Sequence, residues 1–250
     1  MTLVLSLFPG IGMLDRAFEE EGFCIVRGPD LIWGGDVRRF HPPAGRFDGV
    51  IGGPPCQAFS RATKMAKGLE TENLIPEFER VVREAAPVWF LMENVRDAPI
   101  PYVDDFAVSS HLVDNRADAG GAQRRVRRWS FGRWLKFPWV RPLELEWWAP
   151  PVPAECLPTV TANATKWIGK PYTGKDGYVR RGRCRADRTR ATLAESVRAQ
   201  GLPADFELAA LTVEAAIRAV GNGVPLPMGR ALARAVIRAT SEPSFVEGGT

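Results

Sequence analysis

The chain has 250 residues, 45% hydrophobic and 25% charged, a balance that excludes a disordered or fibrous protein and suits one domain, or one domain plus a small lobe. No apolar run approaches the roughly 18 residues that cross a bilayer, and four scattered cysteines without a CxxC pair point to a reducing cytoplasm and away from a disulfide scaffold or a metal site. The net charge of +4 hides a split: residues 1–119 hold 12 Lys and Arg against 18 Asp and Glu, whereas residues 120–190 hold 16 against five, with six of the eight tryptophans. A focused basic, aromatic segment is the footprint of nucleic-acid contact; a solvated surface lobe is the plainer alternative.

Taken in chain order, the first half alternates strand and helix patterns. Thr2–Phe8 is an apolar run ending at Pro9-Gly10, read as a buried strand and not a signal peptide because no basic residues precede it. Leu14, Ala17 and Phe18 mark a helix face, closed by Gly22. Phe23–Val26 and Phe47–Ile51 read as strands, the latter running into Gly52-Gly53-Pro54-Pro55. Leu74, Ile75, Phe78, Val81, Val82 and Ala85 predict a helix stopped by Pro87, followed by a strand over Val88–Met92. Asp105–Val113 and Arg128–Phe131 are later strands, and Ala191–Ala199, Thr212–Val220 and Pro225–Thr240 are helices. From Lys136 to Arg190 the stretch is rich in Pro, Trp, Arg and Gly and has no sustained period, which predicts a small irregular lobe.

Alternating strands and helices predict an α/β fold with a doubly wound, mostly parallel sheet. Ligands of such sheets sit beyond the carboxyl ends of the strands. Phe8–Gly12, Asp36, Pro54–Gln57 and Glu93-Asn94 all fall there.

Five short motifs carry chemistry. In GGPPCQAFS (Gly52–Ser60), Cys56 is held rigidly after a strand, as a nucleophile needs, although a lone cysteine is more often plain core. Glu93, in MENV, suits a general acid in a cleft with a thiol; alone it reads as a capping or ion-paired carboxylate. Phe8-Pro9-Gly10-Ile11-Gly12 lets backbone approach a ligand at a helix N-terminus, but is not a full dinucleotide fingerprint. In Gln123-Arg124-Arg125-Val126-Arg127, alternate residues share one face if the segment is extended; the plain alternative is an exposed basic strand. Gly221-Asn222-Gly223-Val224-Pro225 is a turn opening a helix.

In this order LFPGIG, GGPPCQAFS, MENV, QRRVR and GNGVP resemble the cytosine-C5 DNA methyltransferase family, with RAQGLPADF (Arg198–Phe206) similar to the segment before its last motif. The resemblance runs from Leu7 to about Ala235 and leaves only the lobe unmatched. It implies an S-adenosylmethionine-dependent methyltransferase fold, with residues 1–136 and 191–250 as the catalytic and cofactor-binding domain and 137–190 as a small target-recognition lobe. It implies S-adenosyl-L-methionine held by Phe8, Gly10, Ile11, Gly12, Asp36, Pro54, Leu74, Asn222 and Val224, with Asp30 the nearest candidate for the ribose hydroxyls. It implies Cys56 as nucleophile on C6 of a flipped cytosine, Glu93 at N3 and Arg125 at O2. Gln57, Ser60 and Arg61 after the nucleophile, Gln123 and Arg127 of the basic motif, and Thr159 and Thr161 of CLPTVTAN are the implied DNA contacts.

The implied partner is double-stranded DNA, with no membrane and no metal, for a monomer in the cytoplasm of a bacterium or phage-infected host. A companion restriction endonuclease stays open. The chain departs from the family pattern at Ala58, where Gly follows PCQ, at the ribose acid, and at Ile217–Val220, where a tyrosine is usual. Two alternatives remain. One is an RNA cytosine-C5 methyltransferase, whose Cys-Phe-Thr signature is absent; the other is a degenerate DNA-binding relative, against which Cys56, Glu93 and Arg125 all stand.

Overall fold

A computed structural model describes residues 2–55, 72–145, 155–157, 159–160, 165–167, 188–206 and 208–241. Six strands form the main sheet: β1 (Leu3–Leu7), β2 (Cys24–Arg27), β3 (Gly49–Gly52), β4 (Trp89–Asn94), β5 (Phe106–Asp114) and β6 (Val126–Trp134). Their order is β2-β1-β3-β4-β6-β5. The first four are parallel, and β6 runs antiparallel between β4 and β5. Among the described residues, five α-helices accompany them: α1 (Met13–Glu20), α2 (Ile75–Ala85), α3 (Leu193–Ala199), α4 (Val213–Asn222) and α5 (Leu226–Thr240). A short ladder of β7 (Thr165–Trp167) with β8 (Arg188–Arg190) lies in the basic segment.

The strand residues alternate between two cores, as a pleated sheet covered on both faces requires. Val4, Ile51 and Leu91 join Trp129, Phe131 and the α5 residues Leu232 and Val236 on one side. Leu5, Val50, Phe90 and Met92 meet Phe78, Val81 and Val82 of α2 on the other. Helices α1 and α5 touch closely, because a Cβ on Gly229 would stand 2.6 Å from that of Ala17. The result is the doubly wound, mostly parallel sheet expected from the alternation of patterns.

Most elements fall within one or two residues of their predicted spans. The larger difference is β6, nine residues long where four were expected. Its sequence VRRWSFGRW interleaves Arg with aromatics and hides a strand whose inner half is buried. The stretch after it does not leave the body at once. Val140 and Leu143 are buried in the α5 core, and the Arg141 N–H donates to the Ala239 carbonyl at 2.9 Å.

Candidate active site

The glycine loop leaves β1 through three left-handed residues, Phe8 (φ 54°), Gly10 (φ 56°) and Gly12 (φ 77°). Such a φ is strained for Phe8 and natural for the glycines. A Cβ on Gly10 would meet nothing within 4 Å, so the backbone there is open to a ligand. The loop is fixed by Asp30, whose Oδ2 accepts the Gly10 N–H (2.8 Å) and whose Oδ1 accepts that of Ile32 (2.8 Å). Trp33, 57% exposed, donates its indole N–H to the Gly10 carbonyl at 2.7 Å. No sequence pattern marked Trp33; only the fold carries it back over the loop.

Phe8, Asp30, Asp36, Pro55, Leu74 and Val37 line one cleft at the carboxyl ends of β1, β2 and β3. Its apolar walls and two carboxylates fit an adenosine group, which needs a flat slot and acceptors for an amino group and hydroxyls. The carboxylates already have partners. Asp36 accepts from the Arg38 backbone (3.0 Å) and from its guanidinium (2.9 Å), which holds its carboxyl below the usual range. Ile11 turns elsewhere: with Arg16, Arg27 and Phe206 it lines a separate cavity of ≈320 Å³. Val224 is buried among Met228, Leu232 and Val236, which makes it part of the core beneath the loop rather than an exposed contact. Gly223 explains how its motif reaches the loop, since a Cβ there would strike Met13 at 2.3 Å.

The ends of β3 and β4 lie side by side. The Asn94 amide donates to the Pro54 carbonyl (3.4 Å), and the Pro55 carbonyl accepts the Leu74 N–H (3.2 Å). Glu93 pairs with Arg127, Oε1 to Nε at 2.9 Å. Its Oε2 lies 3.2 Å from where a Cβ on Gly53 would be, so the carboxylate borders the turn that leads to Cys56. Cys56, Gln57, Ser60, Arg61 and Thr161 themselves lie outside the described residues.

Gln123, Arg125 and Arg127 do share one face, with Arg124 exposed between them. Arg125 is only 5% exposed. Its guanidinium donates to the carbonyls of Val160 (Nη1, 3.1 Å) and Asn222 (Nη2, 3.4 Å), and its buried Nε has no hydrogen-bond partner among the described residues. Burial, reinforced by the neighbouring Arg127, pushes its pKa down to about 9, while Glu93 acts in the opposite direction. A buried cation with an unspent donor is a poised hydrogen-bond site, because leaving such a group unmet is costly.

Gln123 corrects an expectation. It was expected to touch DNA, but it is fully buried, with Oε1 accepting from the Val160 N–H (3.1 Å) and Nε2 donating to Gln200 Oε1 (2.8 Å). Both ends of the amide are spent inside the protein, behind Arg125. Thr159 spends its hydroxyl on the Arg124 carbonyl at 2.7 Å. Gln200 was not singled out: it lies in the RAQGLPADF segment that resembles the family, but nothing in that segment says which residue is buried, and only the fold shows it. Among the described residues no His/Cys/Asp/Glu cluster suits a metal, and no helix is long and apolar enough to cross a membrane.

Comparisons with known proteins show the family and the fold. Residues 34–99 match the model of the C-5 cytosine-specific DNA methylase family. Type II methyltransferase M.AquIA of Picosynechococcus sp. is 40% identical over 182 residues, 53% of this chain and 72% of that protein. M.HgiDI of Herpetosiphon aurantiacus is 32% identical over 126 residues, 42% of this chain and only 40% of that protein. In structure, a prophage-encoded E. coli protein described as a DNA modification methyltransferase superposes with a TM-score of 0.65 at 17% identity, over 96% of this chain and 99% of that one, a likeness of fold. The chain belongs to the C-5 cytosine-specific DNA methylase family, a family of methyl-transferring enzymes.

Proposed function

We propose that the chain is a DNA (cytosine-5-)-methyltransferase that moves a methyl group from S-adenosylmethionine to C5 of a cytosine flipped out of duplex DNA. The observation that carries the reading is the buried Arg125, whose Nε is unspent among the described residues, with the Glu93–Arg127 pair on the same face. When bound, S-adenosylmethionine supplies an electrophilic methyl group. Phe8, Gly10 and Leu74 would hold it with Asp36, while Asp30 acts by shaping the glycine loop. The family's printed name and the open space beside Gly10 Cα support this cofactor.

Cytosine C5 is too weak a nucleophile to take that methyl group unaided. The Cys56 thiolate therefore adds to C6, and the displaced electron pair passes to C5 and the N3–O2 edge. Glu93, carrying a proton when the base is bound, gives it to N3 and takes it back as Cys56 leaves, and Arg125 donates to O2; donors so placed are worth about 3–4 kcal/mol each in a water-excluded site. After methylation a base takes the C5 proton, the C5–C6 double bond re-forms and Cys56 leaves with its electron pair. The reaction needs a base outside the stack. Arg127 keeps Glu93 oriented through its 2.9 Å contact.

Duplex DNA is the proposed partner, met by the basic segment 120–190, and the enzyme is proposed to work as a cytoplasmic monomer. The test is transfer of label from S-adenosylmethionine to mixed-sequence duplex DNA, followed by nucleoside identification. 5-Methylcytosine is expected. Label on RNA alone would move the substrate to RNA, and label on neither, with DNA still bound, would leave a binding protein.

A further inference from the structure

Gln200 sits at the start of the turn after α3 and is fully buried. Its Nε2 donates twice, to the carbonyls of Val220 (2.6 Å) and Gly223 (3.2 Å), and its Oε1 accepts from Gln123 (2.8 Å). Its own carbonyl accepts the Leu226 N–H at 2.9 Å. This orientation of the amide is forced, since the flipped one would set oxygen against two carbonyls and nitrogen against nitrogen.

The bonds bracket Arg125 from both sides. The two carbonyls that receive its guanidinium belong to Val160 and Asn222. Val160 is held by Gln123, whose other end rests on Gln200. Asn222 lies between Val220 and Gly223, both bonded directly to Gln200. A pair of buried amides thus joins three segments distant in sequence at Arg125, a buried cation whose Nε has no partner among the described residues. Gly223 in turn presses on Met13 under the glycine loop.

We propose that Gln200 is a positioning residue for methyl transfer: it sets the Val160 and Asn222 carbonyls, and through them the aim of Arg125 at the base. The proposal rests on the methyltransferase reading above. It assigns Gln200 no contact with cofactor or DNA.

The test compares purified wild type, Gln200→Met and a core control, Val236→Ala in α5, at a temperature where circular dichroism shows all three folded. Met keeps the volume but offers neither donor. Gln200→Met is expected to lose about 10²-fold in kcat, the scale of an ångström-sized misplacement, with the KM for S-adenosylmethionine within about threefold of wild type. Its activity should also fail at a lower pH on the alkaline side, because a cation that loses its two acceptors gives up its proton more readily. Val236→Ala should keep the wild-type kcat and pH profile. Should Gln200→Met not fold, Gln200→Asn, one methylene short of bridging Gln123 and Gly223, gives the same readout. Equal kcat losses in the Gln200 variant and the control, with an unmoved pH profile, would overturn the proposal alone. A wild-type protein that methylates no cytosine would overturn the methyltransferase reading and this proposal with it.

Discussion

Glu93 and Arg127 meet diagonally across the β4–β6 pair, with the carboxylate Oε1 2.9 Å from the guanidinium Nε. The strands put Glu93 opposite Trp129, so Arg127, two residues before it in β6, reaches across the diagonal. That contact ties the end of the MENV strand to the QRRVR motif, joining residues 34 positions apart in the chain. It leaves Glu93 Oε2 facing Gly53 and the turn toward Cys56.

Gly53 therefore tests the placement of Glu93. Its backbone is not in the left-handed region, so Gly53→Ala adds only a methyl group, 3.2 Å from Oε2. We expect kcat to fall about 10–100-fold with an unchanged melting temperature, on the scale of misplaced catalytic groups. Steady-state kinetics checks this; an unaffected kcat would show that Glu93 has room to move without consequence.

Arg125 predicts the alkaline side of the pH profile. With its pKa lowered to about 9, it is a cation at pH 7–8 and loses its proton as pH rises through 9. Turnover that uses the cation should fall there, well below the usual arginine range. Stability moves the other way. From pH 9 up to the usual arginine range the unfolded chain binds more protons than the folded one, so this group's contribution to stability rises with pH across that window. A pH–kcat profile flat to pH 11 would contradict the assignment.

Asp30 predicts cofactor affinity. Asp30→Asn keeps one acceptor for Ile32 but turns an N–H toward the Gly10 N–H, breaking the 2.8 Å bond that holds the loop. The Kd for S-adenosylmethionine should rise about tenfold, the order of one lost charge-assisted hydrogen bond. Trp33, bonded to the same glycine, gives the readout by fluorescence. An unchanged Kd and unchanged emission would mean that the loop holds itself.

Asp15 predicts a stability gain. It is fully buried in α1, accepts the Ser6 hydroxyl and faces the half-exposed Arg27 at 3.0 Å. Burial raises its pKa above 3.8 despite both contacts. Just above pH 3.8 the folded chain thus holds more proton than the unfolded one, and this group's contribution falls as pH rises through its folded pKa. Asp15→Asn keeps the Ser6 bond without the buried charge, so the melting temperature at pH 7 should hold or rise. A clear drop would show the Arg27 pair outweighing desolvation.

Much of this was legible in the sequence because strand ends and glycine turns are local signals. LFPGIG, GGPP and MENV each announce a strand and the point where it stops. The basic motif was legible as an alternation, and its alternation holds. What escaped depends on tertiary contact. Strand β6 is masked because arginines interrupt its apolar alternation. Gln123 reads as a surface residue until Gln200, 77 positions later, meets it. Asp30 reads as a ligand group until Gly10 takes one of its oxygens. Polar residues declare their type in a sequence but not their partner.

The most direct measurement is a trap. Duplex DNA carrying 5-fluorocytosine, incubated with the protein and S-adenosylmethionine, takes the methyl group but has no C5 proton to lose, so Cys56 cannot leave. Denaturing mass spectrometry should find protein joined to DNA plus one methyl group, and nothing joined with Cys56→Ser. Wild type that methylates ordinary cytosine yet forms no adduct would contradict the covalent mechanism.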